Sequence, residues 1–276
     1  MAKRKRKIKM RGWVAIGALA VLSLALLVNY AFPKRGPGGF TKIDEGLELG
    51  EFRGPESPPD GDGVIRVVRA DLSLYKPFLM MASEDGGKDG AKTLRDWSIE
   101  YGLKAAINAS MYQEDGVTAV SLMRKRGHFN NPHLTAHRSV LLFDPLDSSS
   151  PEAIFVDLEL EGSDAVMPSY WGAVQSIRML STEGEVTWAE DEKRWPASLI
   201  GMDKAGRILF IHTKSSYPMH DLVKRLLELP LNLVSLQYAE GGSEAQLFVE
   251  AGELRALYSP GGVSWKVPNA LGLKRR

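Results

Sequence analysis

The residues of this chain best suited to chemistry stand in two polar turns. One is residues 238–247, YAEGGSEAQL, where Glu240 ends an apolar run, Gly241 and Gly242 follow, and Ser243 and Glu244 close the turn. Consecutive glycines let backbone N–H groups form a nest that favours anionic oxygens. Two carboxylates four residues apart can divide acid and base duties. The same spacing also suits a plain glycine turn with two solvated acids. The other turn is residues 108–116, NASMYQEDG. Asn108 offers a donor and an acceptor together, and the small residues after it allow a ligand close to the backbone. Asp115-Gly116 equally suits an ordinary hairpin.

Histidines are the remaining candidates. His128, His133 and His137 fall within ten residues, a density that can ligate Zn²⁺. Their segment contains Asn-Asn-Pro, so no helix fixes the spacing, and Arg124, Lys125, Arg126 and Arg138 would repel a cation. It reads as a solvated loop, and neither a metal nor a cofactor is expected. His212 ends the apolar run RILFIHT (207–213). His220 and Asp221 open a strongly amphipathic segment, and Lys214, Ser215 and Ser216 place donors beside that helix start, where anions are favoured. His220 itself reads as structural. There is no G-x-S-x-G elbow, Walker loop, H-E-x-x-H or dinucleotide fingerprint. The absence of cysteine excludes thiol nucleophiles and disulfides.

Strands must position most of these groups. Residues 64–70 (VIRVVRA), 72–82, 104–108, 139–143, 153–160, 185–188, 207–213 and 232–239 (NLVSLQYA) read as strands from β-branched and apolar content. Residues 41–52 suggest a first strand, and the Pro/Gly-rich 54–63 a loop inside the domain. Thr93 caps a short helix over 94–101 that closes at Gly102. Pro218 opens a second helix with Met219, Leu222, Val223, Leu226 and Leu227 on one face, and Pro230 stops it. Many strands with few helices predict an α+β fold, a single mixed-sheet domain over 40–276.

Before the domain lies a different kind of sequence. Nine of the chain's 35 Lys and Arg fall in residues 1–40 with no acid, leaving 26 basic against 34 acidic residues in the rest, a net of −8. The acidic body argues against a nucleic-acid surface. Residues 12–33 carry no charge, and the 20 residues 13–32 form an almost unbroken apolar run. As a helix they span ~30 Å, the hydrocarbon thickness. Seven cations in residues 1–11 would hold the N-terminus in the cytoplasm. A cleaved signal peptide is the competing reading, but its apolar region is usually ~7–15 residues. The expectation is a basic cytoplasmic segment (1–11), a transmembrane signal anchor (12–33), a linker (34–39) and a periplasmic or extracellular domain.

Five segments in this order resemble the phosphodiester glycosidase family. INASMYQEDG (107–116) resembles the family's N-A-G-M-[FY] turn, and GAVQSIRML (172–180) its Q-S-G-P-x-L segment. LIGMDKAGRILFIHT (199–213) resembles I/V-G-V-D-x-x-G-R with its following strand. YAEGGSEAQL stands where the family has L-D-G-G-x-S-S, and VPNALGL (267–273) resembles the closing P-N-x-[IL]-G-V strand. The resemblance implies hydrolysis of a sugar joined through its anomeric carbon to a phosphodiester. By it, Asn108 orients the substrate, Gln175 and Ser176 line the pocket, and Glu240 replaces the family's Asp. Gly241 and Gly242 bring backbone amides to the ligand. His212 and Glu244 are the candidate proton-transfer partners, with Ser110, Arg178, Ser216 and Ser243 around them.

The departures bear on the substrate. Glu240 reaches about 1.5 Å further than Asp, and a misplacement of ~1 Å can cost on the order of 10²-fold. Ser110 replaces a Gly, Arg178 stands at or beside the family's Pro, and Glu244 replaces a Ser. Residues 195–198 (WPAS) lie where family members often carry Arg. Two expectations follow: an anchored hydrolase of a glycosyl phosphodiester or related linkage in envelope or extracellular polysaccharide, or an inactive carbohydrate-binding protein on the same scaffold.

Overall fold

Alternation along the strands explains the architecture of residues 38–276, which the computed structural model describes. In β3 (Val64–Ala70), Ile65 and Val67 face one apolar cluster while Val68 and Ala70 face another. In β13 (Ile208–Pro218), Ile208 and Phe210 join the second cluster and Leu209 and Ile211 the first. Both faces are buried, so these strands read as continuous apolar runs rather than as hydrophobic–polar repeats.

Three antiparallel sheets share the central cluster. The first has six strands, in the order β1 (Gly39–Asp44), β2 (Leu47–Arg53), β3, β13, β12 (Arg194–Asp203) and β14 (Leu233–Gly241). The second orders β10 (Ala153–Asp157), β9 (Ser139–Pro145), β11 (Tyr170–Ser176), β7 (Met123–Lys125) and β8 (His128–Asn131). The third orders β16 (Leu254–Tyr258), β15 (Leu247–Ala251), β6 (Leu103–Asn108), β18 (Asn269–Arg275) and β4 (Tyr75–Met81). A two-stranded ladder joins β5 (Lys92–Thr93) to β17 (Lys266–Val267). Leu49, Val68, Ile107, Leu141, Ile200, Phe210, Val249 and Leu271 meet in the shared core.

Each outer face has its own cover. Helix α1 (Leu94–Tyr101) buries Leu94 and Trp97 against Met80, Ala106, Phe248 and Ala270. Its start is fixed by the Thr93 hydroxyl, which accepts Asp96 N–H at 3.1 Å, and its end by Gly102 in the left-handed region (φ 67°). Helix α2 (Met219–Glu228) lays Met219, Leu222, Val223 and Leu226 over Leu199, Leu209 and Ile211. Burying each such side chain contributes roughly 1.5–3 kcal/mol. A short 3₁₀ segment, Ser163–Ser169, covers the second sheet through Met167.

The expected α+β character with few helices holds, with two α-helices among the described residues. Several boundaries differ. Residues 41–52 fall in a hairpin of two strands, because Gly46 (φ 68°) turns the chain. Residues 185–188 form no strand beyond a bridge of Val186 to Leu180, and Leu227 is 40% exposed rather than on the covered face. Residues 1–37, with the expected basic segment and membrane anchor, lie outside the described residues. Among those described, no helix is long and apolar enough to cross a membrane.

Candidate functional site

A row of polar residues crosses the inner face of the first sheet at one end of the central core. Register sets it: Glu51 stands opposite Arg66, Arg66 opposite His212, His212 opposite Ser198, and Ser198 opposite Glu240. Residues directly opposite in an antiparallel sheet share a face. Arg66 follows the parity of Val68 and Ala70, and Ser198 that of Ile200 and Met202, so the row continues the central core outward. In β14 an irregularity makes Leu199 face Tyr238 while Ser198 faces Glu240, so one extra residue brings the carboxyl into line.

Ser198 is the hub. Its hydroxyl lies 3.0 Å from Asn108 Oδ1, 3.2 Å from the Gln246 carbonyl and 3.4 Å from His212 Nδ1. A hydroxyl has one proton to give and lone pairs to accept. The Nδ1 contact suits either imidazole tautomer, and Nε2 is buried without a hydrogen-bond partner. Asn108 also accepts the Gln246 N–H at 2.8 Å and donates to the Glu244 carbonyl at 3.0 Å. The early asparagine, the histidine and both glutamate-bearing segments therefore converge, although 136 residues separate Asn108 from Glu244.

The charges are tuned in opposite directions. Half-buried Glu240 accepts the Gly241 N–H at 2.9 Å, but loss of solvent dominates and pushes its carboxyl up to about 7. Burial likewise raises Glu244, whose Oε2 takes a short hydrogen bond from the Tyr112 hydroxyl. His212, with no exposed surface, is driven down to about 3 by burial first and then by the Arg66 and Lys214 charges, so it is neutral. Arg66 reaches Glu51 at 3.2 Å and Asp62 at 2.9 Å, and Lys214 stands 3.6 Å from Asp62.

The other sequence candidates have different employment. Gln175 is fully buried and its amide is spent: Oε1 accepts Leu122 and Thr135 N–H groups, and Nε2 donates to the Thr135 and His137 carbonyls. Ser176 donates to the Tyr238 carbonyl, and Ser110 to the Gln175 carbonyl at 3.4 Å. These three support the site from behind rather than line it. Arg178 turns to Asp157 and Glu159. Ser216 is bound through N–H and hydroxyl to Asp60, which pins the 54–63 loop. Gly241 is required by packing, since a Cβ there would overlap the Tyr238 hydroxyl and the Trp195 ring. Gly242 adopts φ +71°, and Ser243 is exposed beside it.

The histidine loop separates its rings. His128 pairs with Ser83 at 2.8 Å and His137 with Ser121 at 2.7 Å, and among the described residues no group of three His, Asp or Glu is arranged to hold a metal. His220 Nδ1 meets the Trp188 carbonyl. The sequence reading missed Arg66, Ser198, Tyr112 and Gln246. The signal for Arg66 and Ser198 was a polar residue at inward parity in an otherwise apolar strand. Arg66 also supplies, from another strand, a cation near the place where residues 195–198 lack one.

The family model described as phosphodiester glycosidase matches residues 101–274, well over half the sequence. The chain belongs to the phosphodiester glycosidase family. Arg66 lies outside the matched stretch, whereas Asn108, Ser198, His212 and Glu240 lie inside it. Among solved structures, the zebrafish N-acetylglucosamine-1-phosphodiester alpha-N-acetylglucosaminidase catalytic domain, auto-inhibited by its pro-peptide, is similar in fold. Its TM-score is 0.62 at 10% identity, over 87% of each chain. A hypothetical protein from Synechocystis gives 0.60 at 11% identity, over 88% of this chain and 64% of that one. No curated protein sequence matches the chain.

Proposed function

We propose that this family member hydrolyses a glycosyl phosphodiester or related sugar linkage in envelope or extracellular polysaccharide, held at the membrane by residues 12–33. The observation that carries the reading is Glu240: a half-buried carboxyl titrating at about 7, in register with Ser198, neutral His212 and Arg66. A phosphomonoester leaving group has a second pKa of about 6, so it departs with little protonation. The demand then falls on the water and on the oxocarbenium-like carbon. Ionised Glu240 takes a proton from water as the water oxygen bonds to the anomeric carbon. The bond from that carbon to the phosphate oxygen breaks, and its electron pair leaves with the phosphomonoester. A base is most effective when its pKa lies near working pH. Arg66 and Lys214, paired with Glu51 and Asp62, give the phosphate a charge-balanced setting rather than a net positive one, and Asn108 and Ser198, both buried, fix the strand ends rather than touch the sugar.

The test is turnover by the 276-residue chain of methyl diesters of hexose and N-acetylhexosamine 1-phosphates, read as free sugar. Activity should rise as pH passes about 7 and Glu240 ionises. Glu240→Gln should lower kcat/KM by about 10²–10⁴-fold. Unchanged turnover in that variant would overturn the role. A second reading, a carbohydrate-binding protein without turnover, draws on the complete burial of Ser198 and His212. Glycan binding with no hydrolysis from about pH 5 to 9 would favour it.

A further inference from the structure

We infer that Trp265 is a stacking platform for the sugar ring of the substrate, an inference that rests on the carbohydrate reading of the Glu240 site. Trp265 is 42% exposed, yet both its N–H and its carbonyl are bound by one buried side chain. Its N–H donates to Gln246 Oε1 at 3.1 Å and its carbonyl accepts from Gln246 Nε2 at 3.2 Å. Gln246 has no exposed surface. The same Nε2 donates to the Glu244 carbonyl at 3.2 Å, and the Gln246 N–H donates to Asn108. One buried amide thus joins the Trp265 main chain to the turn that carries Glu240 and Glu244.

The flanking residues hold the loop at both ends. Ser259 is buried, and Gly261 and Gly262 take φ of 64° and 73° to fold the chain back beside residues 242–244. Beyond the tryptophan, Lys266 and Val267 pair with Thr93 and Lys92, and Val267 is buried under α1. The exposure of the indole is therefore not slackness. A large flat apolar ring is carried by a segment whose main chain is tied through Gln246 to the acidic turn. A pyranose ring offers a face of C–H bonds, and an indole is the side chain that best covers it while keeping a polar N–H for solvent or hydroxyl. Rigid aromatic anchors also cost little conformational entropy on binding.

Two measurements test the platform: kinetics with the sugar 1-phosphate methyl diesters, and the indole N–H resonance of Trp265 during titration with the same compounds. Trp265→Ala should raise KM about tenfold and Trp265→Phe by less, with kcat within about twofold. The Trp265 resonance, assigned by its loss in Trp265→Phe, should shift on titration. Turnover with an unchanged KM and a stationary resonance overturns the platform and leaves the hydrolase intact. A shifting resonance without turnover upholds the platform and overturns the hydrolase. A stationary resonance with no turnover overturns both.

Discussion

Glu240 and His212 are side chains whose ionisation opposes the fold at opposite ends of the pH scale. Glu240 binds its proton more tightly folded (about 7) than unfolded (4.5). Its contribution is complete below 4.5 and lost as pH rises through 7. His212 binds its proton less tightly folded (about 3) than unfolded (6.5), so its contribution is complete above 6.5 and lost as pH falls toward 3. Thermal unfolding across pH should therefore peak between these limbs. Glu240→Gln should lift the alkaline limb by about 5 °C, and His212→Gln should flatten the acid limb. A curve left unchanged by both would contradict the assignment. Glu240 and His212 were legible because each ends an apolar run. Ser198 was not: its importance comes from three partners 14, 48 and 90 residues away.

Among the elements, the helices were the most readable, since capping and periodicity are local. Thr93, Gly102, Pro218 and the 219–222–223–226 spacing mark their ends and faces in the order found. The strand pairings were opaque, because register depends on partners far along the chain. Residues 194–203 give no alternating signal, yet β12 lies between β13 and β14 and carries Ser198. Gln175 shows the same limit. It read as pocket-lining, whereas its amide ties residues 135–137 and Leu122 to β11. Gln175→Ala should destabilise the domain by about 2–4 kcal/mol in denaturant unfolding, since several buried backbone groups lose a partner. KM for any turned-over substrate should stay close to the parent value. A large KM change with unaltered stability would return Gln175 to the pocket.

At the scale of the molecule, charge separates the two ends of the sequence: nine cations and no acid in residues 1–40, and an acidic remainder. If residues 12–33 anchor the protein, the chain should remain with the membrane pellet after alkaline carbonate extraction, and deleting those residues should release it. Recovery of the intact chain in the supernatant would count against the anchor. The distribution of the shared core has another result. β18 lies between β4 and β6, and Ser110 N–H bonds Asn269 across 159 residues. A ribosome making this chain has long finished β4 and β6 before residues 269–275 emerge. Until then β4 and β6 have no strand between them, so the third sheet closes only when that late strand arrives.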